Sequence, residues 1–263
     1  MFSSYSEPSA RVDFMIGDVP KTPAEVDVSL RPACDLSLNT LAGMFNRSYS
    51  NYFIPVHMDA STISWLLTTQ TIDLASSHVL DVDGQHAGFI FISARGLSQR
   101  VAAMGVIPEY RGMGYGQRML EHCIEHAKDA GIHRMVLEVI DENAHALAIY
   151  RQLGFEVERC LVGYKCSSAL ANGDGDELPD EIDPREVAKA AIHEVPPGLP
   201  WQISAEGFFS VRPPSRFFTM ERSAYAIISH VTDTSARINA IVVPRTKRRK
   251  DWGRRILRAL YRL

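Results

Sequence analysis

The sequence predicts a mixed α/β domain that is followed by a smaller C-terminal unit. Segments from residue 28 to residue 166 alternate between strand-like and helix-like periodicity in the order βααβββαβαβ. A glycine-rich turn joins a strand to a helix at 101–116, and an acidic stretch with several glycines follows the last predicted strand. We therefore divide the chain into a loose N-terminal arm, a main domain, an acidic linker and a smaller unit with a basic tail, over residues 1–27, 28–168, 169–186 and 187–263.

The composition is that of an ordinary globular chain with a sizeable core. Of its 263 residues, 46% are apolar and 22% are charged. The first twenty residues lack the apolar segment of a signal peptide, and no run approaches the length of a membrane span. The cysteines show no C-x-x-C pairing, which is typical of reduced thiols; they are Cys34, Cys123, Cys160 and Cys166. We expect a cytoplasmic protein.

The segments before the glycine-rich turn show the residue patterns of strands and helices. Val28–Pro32 has the character of a strand, and a helix follows with Leu38, Leu41 and Phe45 at helical spacing. After an aromatic loop, a second helix contains Ile63, Leu66 and Leu67. An Asp-Gly pair then joins residues 77–82 to residues 86–94, which predicts a β-hairpin. Beyond the turn we expect a strand over 135–140, a helix over 143–153 and a strand over 155–166.

The glycine-rich turn is the strongest candidate for a ligand site. Pro108 ends an apolar strand, and three alternate glycines, Gly112, Gly114 and Gly116, lead into an amphipathic helix. Free N–H groups at a helix N-terminus attract anions, and glycines allow a phosphate to approach closely. A tight turn without a ligand is the alternative. The glycine spacing fits neither the dinucleotide fingerprint nor a P-loop.

Two motifs resemble those of the GNAT N-acetyltransferases. The pattern V-x-P-x-x-R-G-x-G-x-G, which starts at Val106, is similar to the acetyl-CoA signature of that family. A second set resembles the family's later motif in order and spacing: Leu137-Glu138-Val139, Asn143, Ala146, Tyr150 and Leu153-Gly154-Phe155. The resemblance covers about residues 28–166. It implies a mixed, strongly twisted sheet with helices on both faces, and an acetyl-CoA-dependent N-acetyltransferase acting by direct attack of a primary amine.

The resemblance also implies which residues bind the cofactor. The backbone of one strand would hold the pantetheine arm and polarise the thioester carbonyl, through Met104, Gly105 and Val106. The turn would bind the pyrophosphate, through Arg111, Gly112, Met113, Gly114, Tyr115 and Gly116. Asn143 would bond to the pantetheine amide. Acetyl-CoA is the expected co-substrate, and no metal is expected.

Two side chains are candidates for proton transfer. Tyr150 lies two helical turns after Asn143, on the same face, and could protonate the leaving thiolate as a general acid. Packing on the apolar face of the helix, with Leu147 and Leu153, is the alternative. Glu138 falls between Val136 and Ile140 in the predicted strand, where desolvation would make it a better base. Its spacing from the asparagine resembles the base position of the ribosomal-protein N-terminal acetyltransferases. A solvated glutamate is the alternative, with a water chain as the base.

The aromatic loop is the candidate acceptor pocket. By the resemblance it lies where the family builds that pocket, with Tyr49, Tyr52 and His57 as candidate contacts; simple packing of the two helices is the alternative. The acceptor is expected to be a small-molecule or peptide amine. Its identity stays open.

Residues 122–126 fit the zinc-hydrolase pattern H-x-x-E-H. The two histidines, His122 and His126, fall on the helix face opposite Met119 and Leu120. We therefore expect them to face solvent and to bind no metal.

The C-terminal unit is expected to be a partial, degenerate GNAT-like unit. Val242-Val243-Pro244 aligns with Val106-Ile107-Pro108, but residues 247–250 replace the glycine turn, which predicts a non-catalytic half. Residues 245–262 hold nine basic residues and one acidic residue, although the whole chain carries a net charge of −3. The tail helix either packs on its own unit or contacts nucleic acid or a membrane surface. A CoA-binding regulatory protein or scaffold is the alternative function, and a free sheet edge would allow a homodimer.

Overall fold

The computed structural model describes residues 26–50, 52–53, 56–164, 177–194, 199–229, 231–232 and 235–263. Most of the predicted N-terminal arm, the start of the predicted linker, and Cys166 lie outside these residues. Cys34, Cys123 and Cys160 are free thiols. None of the described helices is both long enough and apolar enough to cross a bilayer.

Within its described residues, the first unit contains five strands and four α-helices. In chain order they are β1 (Val28–Pro32), α1 (Leu38–Ser48), α2 (Ala60–Thr69), β2 (Ile72–Val82), β3 (Gln85–Arg95), β4 (Ser98–Val106), α3 (Tyr115–Asp129), β5 (Arg134–Leu137) and α4 (Ala144–Gln152). Side-chain caps start two of the early helices: Ser37 accepts from the Thr40 N–H, and Asp59 accepts from the Thr62 N–H. The predicted hairpin and helices are confirmed.

The five strands form one mixed sheet in the order β1-β2-β3-β4-β5, antiparallel except for the parallel pair β4–β5. β3 is the central strand and is buried on both faces. Phe89 and Phe91 point toward α1 and α2, whereas Ile90 and Ile92 point toward α3. The expected α/β architecture, a sheet covered by helices on both sides, is therefore confirmed.

β4 and β5 separate soon after they begin to pair. They pair only from Ser98 with Arg134 to Val101 with Leu137, while β4 continues along β3 to Val106. A β-bulge on β4 lies at Ala102, because Phe91 pairs with Ala103 and Ile92 pairs with Val101. The far half of β4 thus has a β3 partner on one edge and an open cleft on the other.

The strand predicted over residues 155–166 is not formed in its described part. Residues 155–164 form no strand, and the apolar side chains of Val157 and Val162 are exposed. β5 is only four residues long, so its outer edge offers a short ladder. An ion pair of 2.6 Å between Arg134 and Glu158 holds this segment near the start of β5.

Gly105 allows α1 to pack closely against β4. A Cβ at this position would lie 2.6 Å from the Cβ of Ser48, the last residue of α1. We expect Gly105→Ala to destabilise the fold by about 1–3 kcal/mol, measured by urea unfolding, because the core would be overpacked. Adding Ser48→Gly should restore part of the lost stability, because it removes the Cβ that the new side chain would meet.

The matched control is Gly43→Ala in α1. A Cβ at Gly43 would meet no atom within 4 Å outside the backbone of its own helix. That change should be neutral or stabilising, since alanine favours helix more than glycine. Equal unfolding free energies for the Gly105→Ala and Gly43→Ala variants would contradict the packing argument.

The C-terminal unit has its own four-stranded antiparallel sheet in the order β6-β7-β8-β9. Its elements are β6 (Asp180–Glu181), α5 (Pro184–Ile192), α6 (Ala205–Phe208), β7 (Arg216–Met220), β8 (Ala224–Ser229), β9 (Arg237–Val242) and α7 (Trp252–Leu260). The linker expected to run to residue 186 therefore gives way to regular structure at Asp180. Its acidic residues have structural roles there, since Asp183 caps α5 and Glu181 pairs with Arg216.

The loop before α7 repeats the backbone conformation of the loop before α3. Gly112 and Gly114 have φ of 76° and 79°, and Arg249 and Asp251 have φ of 59° and 64° at the same distances before their helices. The loss of the glycines predicts the loss of this conformation, but the backbone retains it.

The arginine before each of these loops makes the same contact. Arg111 donates to the Val106 carbonyl oxygen at 3.0 Å, and Arg248 donates to the Val243 carbonyl oxygen at 3.0 Å. Arg248, rather than Lys247, therefore corresponds to Arg111. Whether this unit derives from a second GNAT domain stays a prediction.

The tail helix α7 packs on its own sheet. Ile256, Ala259 and Leu260 are buried against β7 and β8. Several of the basic residues pair within the unit: Arg248 with Glu194, Arg254 with Asp251, and Arg255 with Glu177 and Glu221. The apolar face that a membrane would need is therefore covered by protein.

The two units meet around Trp201. Its indole N–H lies 3.3 Å from the carbonyl oxygen of Gln70, at the end of α2. The Arg95 guanidinium of β3 lies 4.3 Å from the centre of the indole ring and donates to the Trp201 carbonyl oxygen at 2.8 Å. This contact brings residues 201–204 of the C-terminal unit to one end of the first sheet.

Candidate active site

A cleft of about 690 Å³ opens where β4 and β5 separate. It is lined by β4, by the loop over residues 111–116 (the glycine loop), by the start of α3, by the end of β5 and by α4. The cleft brings together residues that are far apart in sequence, and most of the predicted site residues line it: Tyr49, Tyr52, Met104, Gly105, Val106, Arg111, Gly112, Gly114, Tyr115, Gly116, Glu138, Asn143 and Tyr150.

The glycine loop has the geometry of an anion site. Gly114 is the N-cap of α3 in the left-handed conformation and supplies no side chain to cap the helix. The first N–H groups of an α-helix have no intrahelical acceptor and lie at the positive end of its dipole. Beyond the adjacent residues, no atom lies within 4 Å of the place where a Cβ on Gly112 or Gly114 would stand. The loop therefore leaves room for a phosphate against its backbone.

Arg111 holds the loop in place with its guanidinium group. The side chain donates to the Val106 carbonyl oxygen at 3.0 Å and to the Ser48 carbonyl oxygen at 2.9 Å. It thus ties the end of β4 to the end of α1. The sequence predicted Arg111 as a cofactor residue, and its contacts within the protein are those of a positioning residue. Met113 does not line the cleft, and its side chain is 60% exposed.

Tyr150 lies in the cleft with its hydroxyl close to β4. The hydroxyl donates to the Met104 sulfur at 3.5 Å, and the ring packs edge-on against Phe155. A thioether is a weak acceptor. Burial, with a smaller contribution from Tyr52, raises the pKa of Tyr150 to about 12. This phenol therefore stays protonated at neutral pH and already contacts a sulfur atom.

Asn143 caps α4 and faces the cleft. Its side-chain oxygen accepts from the Ala146 N–H at 3.2 Å. The cap uses the amide oxygen, so the NH₂ group is the part of the side chain that can bind a carbonyl group in the cleft. The capping bond fixes the orientation of the amide.

Glu138 lies just past the end of β5 rather than inside a strand. Its side chain is 38% exposed and is 3.9 Å from the guanidinium of Arg100, and the Gln202 amide donates to it at 3.5 Å. The expected apolar surroundings are therefore wrong, because β5 ends at Leu137. The carboxylate instead faces a buried arginine whose own pKa is lowered by desolvation.

The aromatic loop contributes two of its three predicted residues to the cleft. Tyr49 stacks on Phe45 with ring centres 4.4 Å apart, and its hydroxyl donates to the Met104 carbonyl oxygen at 3.1 Å. Burial is the main cause of its raised pKa. Tyr52 packs edge-on against Tyr49 at 4.8 Å. His57 is exposed and does not line the cleft.

The structure adds residues that the sequence did not single out. Arg100 and Gln202 contact Glu138 from two different units, and His145 lines the cleft on α4. The pattern around Arg100 is that of a strand, and nothing in it marks a cationic side chain beside the cleft. Gln202 is 64 residues from Glu138 in the chain, and only the docking of Trp201 brings it there.

Comparison with known proteins agrees with this geometry. Residues 41–155 match the sequence profile of the Acetyltransferase (GNAT) family. The chain is 36% identical over 75 residues to streptothricin acetyltransferase of Streptomyces lavendulae, covering 28% of the chain and 40% of that protein. It is 40% identical over 52 residues to the [ribosomal protein bS18]-alanine N-acetyltransferase of Escherichia coli K12, covering 20% of the chain and 35% of that protein.

Among solved structures, the ribosomal-protein-S18-alanine N-acetyltransferase from Escherichia coli matches with a TM-score of 0.41 and 23% identity, covering 50% of this chain and 78% of that one. The chain thus spans well under half the length of the curated relatives named above. Its first unit contains a domain of the GNAT acetyltransferase family, over residues 41–155. The family resemblance predicted from the two motifs is confirmed for this part of the chain.

Proposed function

We propose that the protein is an acetyl-CoA-dependent N-acetyltransferase that transfers an acetyl group directly to a primary amine. The observation that carries this proposal is the shared cleft: the glycine loop, the open edge of β4, Asn143 and Tyr150 line one cavity. Acetyl-CoA supplies the activated acetyl group and a sulfur leaving group. The chain's residues supply binding, orientation and proton transfer.

The binding roles follow from the groups that the cleft leaves available. The backbone N–H groups of the glycine loop would hold the pyrophosphate. The free edge of β4 at Met104–Val106 would pair with the pantetheine arm, and a backbone N–H there would stabilise negative charge on the carbonyl oxygen. The NH₂ group of Asn143 would bind a pantetheine carbonyl.

The proton-transfer roles fall to two side chains. Tyr150 would give its hydroxyl proton to the departing sulfur of the cofactor. To do so, its hydroxyl would contact that sulfur in place of the Met104 sulfur, to which it donates in this structure. Glu138 would accept a proton from the incoming ammonium group, directly or through water, since it lies at the cleft wall and is partly exposed. The neutral amine would then attack the carbonyl, and the C–S bond would break as Tyr150 protonates the sulfur. The nitrogen would lose its second proton as the amide forms, and a proton from the solvent-accessible cleft would restore Tyr150.

The proposed acceptor is a primary amine of a small molecule or of a peptide. The relatives carry names for an antibiotic acetyltransferase and for an alanine N-acetyltransferase of a ribosomal protein. In this chain, Tyr52 and the exposed Phe53 line the cleft. A small molecule or a peptide N-terminus fits such a partly aromatic wall.

The experiment is a calorimetric titration with acetyl-CoA, followed by an assay for free thiol release. The amine panel should contain aminoglycosides, amino acids and short peptides with free N-termini. We expect acetyl-CoA binding at one site per chain and thiol release with one amine class. Absence of acetyl-CoA binding to the folded protein would overturn the proposal.

A further inference from the structure

Three histidines meet on the side of the first unit away from the glycine loop. His78 lies on β2, and His122 and His126 lie one turn apart on α3. One ligand atom from each lies within 4.8 Å of the others. The expectation that both helical histidines face solvent is wrong for His122, because its ring packs edge-on against the buried His78 with centres 4.4 Å apart.

The cluster leaves buried hydrogen-bonding capacity unused. The Nε2 atom of His122 is buried and has no hydrogen-bond partner among the residues that the structure describes. The side chain of His78 is buried within a largely apolar layer, and its Nδ1 is 3.9 Å from the Cys123 sulfur. A buried polar atom without a partner costs free energy, so a ligand at the His122 nitrogen would be favourable.

The geometry is close to that of a bound metal. Tetrahedral zinc with Zn–N bonds of about 2.0–2.1 Å separates its ligand nitrogens by about 3.3 Å. The three nitrogens, now within 4.8 Å, need to close by about 1.5 Å at most, which side-chain rotation can supply. Two histidines spaced i, i+4 on a helix, with a third from a strand, form a three-nitrogen set.

The surroundings keep two of the three rings in their neutral form. Desolvation is the main cause of a lowered pKa at both His78 and His122, and neighbouring histidines add to it; the pKa of His78 falls to about 4. Neutral imidazole is the form that binds metals. Glu125 is the nearby acidic group acting on His122.

We propose that His78, His122 and His126 form a binding site for a divalent transition metal such as Zn²⁺. The bound metal would link α3 to β2. Each imidazole donates one nitrogen lone pair and keeps its N–H on the other nitrogen. His126 is exposed, so the fourth position falls to water. Imidazole ligands suit zinc and its neighbours, whereas Mg²⁺ and Ca²⁺ prefer oxygen.

The test is a titration of the chelator-stripped full-length protein with ZnCl₂, followed by calorimetry and by thermal unfolding. We expect one Zn²⁺ per chain and a rise in Tm, because a ligand that binds only the folded state stabilises it. Co²⁺ should show the visible bands of a four-coordinate ion, and MgCl₂ should leave Tm unchanged.

His126→Ala is the main variant, since an exposed residue is replaced with little effect on folding. It should lose Zn²⁺ affinity on the order of 100-fold. His133→Ala removes an exposed histidine outside the cluster and should leave affinity unchanged. Unchanged affinity in His126→Ala, or absence of a 1:1 complex in the parent protein, would overturn the site. Acetyl-CoA binding is measured separately and does not bear on this result.

Discussion

Tyr150→Phe is expected to lower turnover by at least about 100-fold while leaving acetyl-CoA affinity nearly unchanged. The change removes one oxygen from a buried ring whose hydroxyl donates to the Met104 sulfur at 3.5 Å. Loss of a positioned general acid costs about 10²–10⁴ in rate. The ring remains packed against Phe155, so the cleft should keep its shape. The measurement is kcat by thiol release, with calorimetry for affinity.

The pH dependence of kcat is a second test of the Tyr150 hydroxyl. Burial raises the pKa of Tyr150 to about 12, so the proton donor is present throughout the range from pH 6 to pH 10. The parent enzyme should therefore show no loss of kcat from this group as the pH rises to 10. Tyr164→Phe changes a tyrosine that is 94% exposed and serves as the control. If Tyr150→Phe turned over like Tyr164→Phe at every pH, the general-acid role would be refuted.

Gly114→Glu should abolish measurable acetyl-CoA binding, a loss of at least about 100-fold by calorimetry. Gly114 has φ of 79° and is the N-cap of α3, at the point where the pyrophosphate would sit. A glutamate there adds a Cβ in the space for the phosphate and places a carboxylate in a site that attracts anions. The two negative groups would compete for the same N–H donors.

Gly84→Glu separates this local effect from backbone strain. Gly84 has φ of 73°, lies in the exposed turn between β2 and β3, and has open space where a Cβ would stand. The variant carries the same added charge and similar strain but lies outside the cleft. It should bind acetyl-CoA like the parent protein. Tight binding by Gly114→Glu would mean that the glycine loop is not the cofactor site.

Local patterns predicted the first unit well because each depends on neighbouring residues. The Asp-Gly turn and the apolar alternation were enough for the β2–β3 hairpin, and helical spacing was enough for α3. The strand after α4 failed because a strand needs a partner, and β5 is too short to offer a long edge. α5 was not predicted, because its acidic residues are also typical of a linker. Asp183 caps this helix, and Glu186 lies in its first turn.

The sequence predicted the candidate site residues that belong to local motifs, but not the contacts between residues that are distant in the chain. The glycine loop, Asn143 and Tyr150 are local signals, and the fold brings them into one cleft. The surroundings of Glu138 depend on Arg100 and on a residue of the other unit, and no local pattern contains those contacts. The histidine cluster shows the same limit, because His78 is 44 residues before its first helical partner, His122.

If Glu138 has the proposed role, its contact with Gln202 links acceptor binding to the docking of the C-terminal unit. Any acceptor that must displace the Gln202 amide from the carboxylate gives up part of the docking free energy of the C-terminal unit. By reciprocity, undocking of the C-terminal unit at the Trp201 contact would change the affinity for that acceptor by the same factor as the bound acceptor changes the docking equilibrium. Substitutions far from the cleft, on the surface of the smaller unit, are therefore able to change acceptor affinity without touching the acceptor.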